Sequence, residues 1–192
     1  MAKLVLLAAL ALISIGAAFE SHWQDGRAEL DGYRYTVTRY GHLRSGTAVM
    51  IYVTEPFSES KRVKSDHGTP GTGDVVEALK LNFVRDFQTG IYDYNTMVSL
   101  FTRSRDFTPM KIAFSSAEWC GQVYEEMLFE RFHIADHFQS YFEGESDTHR
   151  VTLAKGGITE EELFMRLRDL RSEWIPAGQK RKVPFLPAAF YR

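Results

Sequence analysis

Between Leu79 and Thr102 the chain alternates with a period of two, turns at Gln88-Thr89-Gly90, and alternates again. Leu79, Leu81 and Phe83 share one side of the first run; Tyr92, Tyr94, Thr96, Val98 and Leu100 share one side of the second. A period of two sends successive side chains to opposite faces of a strand, and aromatic and β-branched residues suit that surface. Two such runs about a short glycine turn predict an antiparallel hairpin.

The same pattern continues on both sides. Tyr33, Tyr35 and Val37 alternate with Arg34, Thr36 and Thr38. Thr47 to Thr54 is apolar on both faces, with Val49, Ile51 and Val53 between Ala48, Met50 and Tyr52, which predicts a central strand covered on both sides. Glu55 to Asp74 reads as a loop, since glycines and prolines collect near its end. Met110 to Glu118 is a further strand, and Gly121 predicts a bulge or bend before Gln122 to Phe129 continues it. Phe132 to Glu143 and His149 to Ala154 form another hairpin about residues 144–147, and a last apolar strand falls near Val183 to Leu186.

One helix is predicted. Thr159 and Glu162 make a T-x-x-E capping box, Ile158 and Leu163 are spaced for a hydrophobic staple, and Leu163, Leu167 and Leu170 line one face as far as Arg171. About eight strands and one C-terminal amphipathic helix give a mainly β fold, an antiparallel curved sheet or barrel.

The first segment carries one charge, Lys3, ahead of an apolar run from Leu4 to Phe19 that ends in Gly16-Ala17-Ala18. This is the pattern of a signal peptide over residues 1–18, cleaved after Ala18, with a single β-rich domain over 19–192. The run falls short of the roughly 20 residues a spanning helix needs, so no stable membrane span is expected after cleavage. The expected address is exported, periplasmic or extracellular. The chain ends on the apolar run from Pro187 to Arg192, which predicts either a strand pinned into the sheet or a natural chain continuing past Arg192.

A formal net charge of -2 excludes a strongly basic nucleic-acid binder. The single cysteine, Cys120, excludes an internal disulfide. Glu118, Glu125 and Glu126 surround it in sequence, and carboxylates disfavour the thiolate a nucleophile needs, so Cys120 reads as a small buried apolar residue. His133 and His137 are spaced H-x-x-x-H, but on a strand residues four apart lie roughly 13 Å apart, too far for one zinc ion. Glu143-Gly-Glu145-Ser-Asp147 lacks the ligand order of a calcium loop and reads as a solvated hairpin tip. The short basic clusters Lys61, Arg62, Lys64 and 180–182 read as solvated loop or edge residues. No motif asks for a cofactor.

What remains is the ring surplus, 14 Phe, nine Tyr and three Trp. Most of these belong in a core, but Tyr33, Tyr35, Tyr92, Tyr94, Trp119 and Tyr141 are candidates to line a concavity that takes a small apolar ligand.

Five stretches carry a family resemblance: Trp23 to Tyr33, Val63 to Asp66, Leu79 to Tyr94, Glu118 to Gly121 and Ser140 to Glu145. By these the chain resembles a family of exported bacterial proteins of unassigned activity, some of them labelled septum formation inhibitor. The resemblance implies export and a β domain; it brings no catalytic residues.

The expected function is that of a non-enzymatic exported domain binding an envelope component, such as a lipid or envelope polymer, or a small apolar ligand. The alternatives are a hydrolase or metal-dependent enzyme using Trp119-Cys120 and residues 133–147, and a structural or partner-binding subunit.

Overall fold

The computed structural model of the protein describes residues 18–187. The leader reading over 1–18 lies, but for its last residue, outside the described residues, as do the final residues 188–192.

The described chain opens in a helix, α1 (described over 18–23), and then runs almost entirely as strands. These are β1 (Glu29–Arg39), β2 (His42–Ser58), β3 (Val63–Lys64), β4 (Val75–Thr89), β5 (Tyr92–Arg103), β6 (Pro109–Glu118), β7 (Gly121–Phe129), β8 (Ile134–Ser140) and β9 (Asp147–Val151). Among the described residues they form one nine-stranded antiparallel sheet in the order β1-β2-β4-β5-β6-β7-β8-β9, with β3 paired to β2. Each long strand pairs with its chain neighbour, so the sheet is a meander that ends at β1 and β9 without closing. Of the two expected architectures it is the curved sheet. β10 (Ile158–Thr159) then leads into α2 (Glu160–Arg166), and β10 pairs in parallel with β11 (Phe185–Leu186).

The alternation sorts the sheet into an inner and an outer face. Tyr52, Leu81, Leu100, Ile112 and Met127 are cross-strand partners on the inner face, and all are buried. One half of this face is roofed by α1 and α2. Phe19 and Trp23 of α1 and Met165 of α2 complete the core, and Phe164 meets Phe83 with ring centroids 5.6 Å apart. Burying side chains of this size contributes about 1.5–3 kcal/mol each, so α2, at seven residues, is held by its apolar contacts rather than by its length.

Several expectations change here. β2 is not covered on both sides: Val49, Ile51 and Val53 on the outer face are only half-buried, because the helices roof the inner face alone. The capping box of α2 is present, and Glu162 Oε2 accepts from the Thr159 amide at 2.9 Å. The helix is shorter than Thr159 to Arg171 and turned differently. Glu161, Glu162 and Met165 are buried while Leu167 and Leu170 are exposed. Arg168 ties the exit of the helix to β1: its Nε donates to Glu29 Oε1 and its Nη2 to Asp31 Oδ2, both at 2.6 Å. Gly121 marks no bend within a strand. The chain reverses at Trp119-Cys120, and Cys120 is exposed on that turn rather than buried. Arg62 is not a solvated edge residue either, since its guanidinium donates to the carbonyls of Met110 and Phe129 at 3.2 and 3.1 Å.

Candidate functional site

The unroofed half of the inner face holds a cavity of about 350 Å³. Its origin is legible in the cross-strand rows. Thr96, Ser116, Val123 and Ser140 are successive partners across four strands, and a row of small side chains leaves space above the sheet. Larger residues stand on either side of that row. Phe87 and Tyr94 lie towards the hairpin tips; Phe114 and Phe138 lie towards the core. Gly46 contributes in a different way: a Cβ there would collide with the Asp86 carbonyl and the Tyr35 ring, so its absence lets that ring cross β2.

The mouth is built from β1 and β5. Phe87 and Tyr94 stack with centroids 4.6 Å apart and planes 13° from parallel. The Tyr94 hydroxyl lies 3.2 Å from that of Tyr40, and the Arg39 guanidinium sits 4.8 Å from the Tyr40 ring centroid and 5.3 Å from that of Tyr94. Burial, and then the neighbouring Glu118 and Tyr40, push the Tyr94 hydroxyl up to about 12, so it keeps its proton. Tyr40 reaches this position from a strained backbone. It is the first of two turn residues with positive φ, 54° ahead of 73° at Gly41, in a turn that favours Asn or Gly.

One charged group reaches the floor, and two buried carboxyl groups lie near it. Arg85 is buried at the inner end of the cavity, and burial lowers its pKa although Tyr35, Glu160 and Glu161 act to hold its proton. Glu125 stands between Phe114 and Phe138 in the same row and is 1% exposed. Burial and then the neighbouring Asp136 push its carboxyl up to about 8. Burial pushes Glu161 up to about 7.

Of the six aromatic candidates, Tyr35 and Tyr94 line the cavity. Tyr33 lies on the same face two residues back, opposite Ala48 of β2, and is half exposed. Tyr92 and Trp119 stand outside the mouth with rings 5.8 Å apart. Tyr141 is carried over Gly121, where a Cβ would fall far inside contact with its ring. The lining that sequence reasoning missed is Phe87, Phe114, Phe138 and Phe142 with Arg39, Arg85 and Glu118. The signal was present as small residues at matching inward positions, readable only once the register is known.

Trp119 and Cys120 of the alternative centre stand on the turn between β6 and β7. Among the described residues no hydrogen bond reaches Cys120, and no group of three or more His, Cys, Asp and Glu side chains is placed to hold a metal ion. His137 lies on β8 and His133 in the turn before it. No described helix is long and apolar enough to cross a membrane. No family model, curated protein or solved structure matches the chain.

Proposed function

We propose that the protein is a non-enzymatic exported binding protein that takes a small apolar or amphipathic molecule, such as part of an envelope lipid, into the cavity of its inner face. The observation that carries this reading is the incomplete roof. The helices fill one half of the inner face to core density and leave the other as an aromatic-walled space of about 350 Å³. Ligand sites are concave, mostly apolar and furnished with a few fixed polar groups, and such a volume lies at the lower end of their range. At about 30 Å³ per small heavy group, the space takes roughly a dozen non-hydrogen atoms. The hydroxyl of Tyr94, the Arg39 guanidinium and the Glu118 carboxylate at the mouth suit a polar end, while the phenylalanines suit an apolar one.

Titration with an environment-sensitive apolar fluorophore, and with medium-chain fatty acids in competition, tests the reading. Saturable binding is expected, with a loss of tenfold or more in Ser116→Phe, whose added ring occupies the cavity. A native protein that takes up no probe, or a Ser116→Phe variant that binds equally well, would count against it.

A further inference from the structure

The meander places four turns at one end of the sheet: Tyr40-Gly41, Gly90-Ile91, Trp119-Cys120 and the longer 141–146 turn. Each carries an exposed ring or branched chain. Tyr40 is 68% exposed, Ile91 73%, Trp119 62% and Tyr141 66%, and Leu43 and Tyr92 flank them. Among the described residues, the turns at the opposite end carry only Val63 and Phe132 as large, exposed apolar side chains. Successive hairpins are two strands wide, so the four tips stand about 10 Å apart along a continuous edge. Side chains tie them laterally. Tyr40 meets Tyr94 of the second hairpin, Tyr92 meets Trp119 of the third, and Tyr141 rests on Gly121 at the third's returning strand.

This edge surrounds the cavity mouth, since Tyr40 from the first turn and Phe142 from the last both line the cavity. We propose that it is a docking rim for the surface of a neutral, zwitterionic lipid bilayer, which brings the cavity mouth against the lipid. The proposal rests on the reading of the cavity as a site for an apolar molecule and adds the surface from which that molecule is drawn. Two features select the partner. Trp and Tyr are amphipathic rings that settle at the headgroup level of a membrane. The turns 40–43, 90–92, 119–120 and 141–146 contain Glu143, Glu145 and His42 but no Lys or Arg, and the flanking Arg39 and Arg44 are outnumbered by Glu143, Glu145 and the flanking Asp93, Glu118 and Asp147, so the rim offers anionic lipid no net attraction. A Tyr40 in left-handed backbone at the head of this edge fits the same purpose, because the strained residue holds a ring outward where Gly or Asn would leave none.

The test is co-flotation of the full chain with phosphatidylcholine vesicles, together with quenching of tryptophan fluorescence by lipids brominated along their chains. The native protein is expected to float, with quenching that disappears in Trp119→Phe. The pair Ile91→Ser and Trp119→Ser should weaken binding about tenfold per residue removed. Leu167→Ser, which removes an equally exposed side chain just past α2, should leave it unchanged. Failure to float, binding that requires anionic lipid, or equal loss in Leu167→Ser would each overturn the rim. So would a dimer in sedimentation that the rim variants abolish, since the edge would then be covered by a second copy. Uptake of the soluble fluorophore without vesicles keeps the two proposals separable. Rim variants retain it if only the rim fails, and Ser116→Phe loses it while still floating if both hold.

Discussion

Glu125 and Asp136 stand on neighbouring strands, both buried, and among the described residues no donor reaches Glu125 Oε2 or Asp136 Oδ1. Burial, and then the charge of the neighbouring Asp136, push the Glu125 carboxyl up to about 8, so a charge-neutralising proton is part of the folded state at neutral pH.

That proton sets a pH dependence with a definite sign. The folded carboxyl of Glu125 titrates at about 8 and that of Glu161 at about 7, both above the unfolded range. The native state therefore binds more protons than the unfolded chain between the ordinary carboxylate range and about pH 8, and stability falls as pH rises through that window. Urea melts at pH 5 and pH 8.5 should differ by several kcal/mol, the lower pH being more stable. Glu125→Gln should flatten most of the difference; an unchanged slope in that variant would show that the pair is not its source.

Arg168 makes one prediction about packing rather than titration. Its guanidinium bridges Glu29 and Asp31 of β1 and lies 4.9 Å from the Tyr52 ring, so one side chain clips the exit of α2 to the first strand. Arg168→Ala should cost about 1–2 kcal/mol of unfolding free energy, measured by denaturant melts. Lys should recover less than half, because an ammonium cannot hold two carboxylates in a planar fork.

Gly121 and Tyr141 are coupled by shape. A Cβ at position 121 would overlap the Tyr141 ring, so Gly121→Ala should displace it and cost about 1–3 kcal/mol. Tyr141→Ala alone should cost less than that, and in the double variant the penalty of the added methyl should largely vanish. Additive losses in the double-mutant cycle would refute the overlap.

Tyr40→Asn trades one effect against another. Asn suits the left-handed turn position and regains about 1 kcal/mol, while loss of the bond to Tyr94 gives back a similar amount. Net stability should stay within about 1 kcal/mol of the native protein. Release of a bound fluorophore, followed by stopped flow, should quicken because the mouth loses its clasp. A destabilisation of several kcal/mol would show that Tyr40 carries packing that its exposure does not reveal.

The strands and their order were legible because alternation is local: Leu79–Phe83 and Tyr92–Leu100 announce both their faces and their turn. The facing of α2 was not. Leu163, Leu167 and Leu170 make a plausible apolar stripe, but the buried side is set by Arg168 reaching β1 and by Glu161 sitting near Arg85, neither of which leaves a periodic trace. The cavity was half legible. Its tyrosines stood out as rings, whereas the phenylalanines that wall it look like any core residues. The small row of Thr96, Ser116 and Val123 gains meaning only through pairing partners 20 and seven residues apart.

The order in which the fold can be assembled follows from the roof. A meander pairs each strand with the one just made, so the sheet can grow hairpin by hairpin with short loop closures. Its core cannot be sealed that way, because α1 and α2 come from the two ends of the described chain and lie over the same half. Arg171, just beyond α2, places its guanidinium 4.0 Å from the Phe19 ring centroid and 4.8 Å from that of Phe107. The sealing step is therefore the longest-range closure in the described molecule. Until it occurs, the inner face stands open along its whole length, a state in which the future core and the future cavity are one continuous surface.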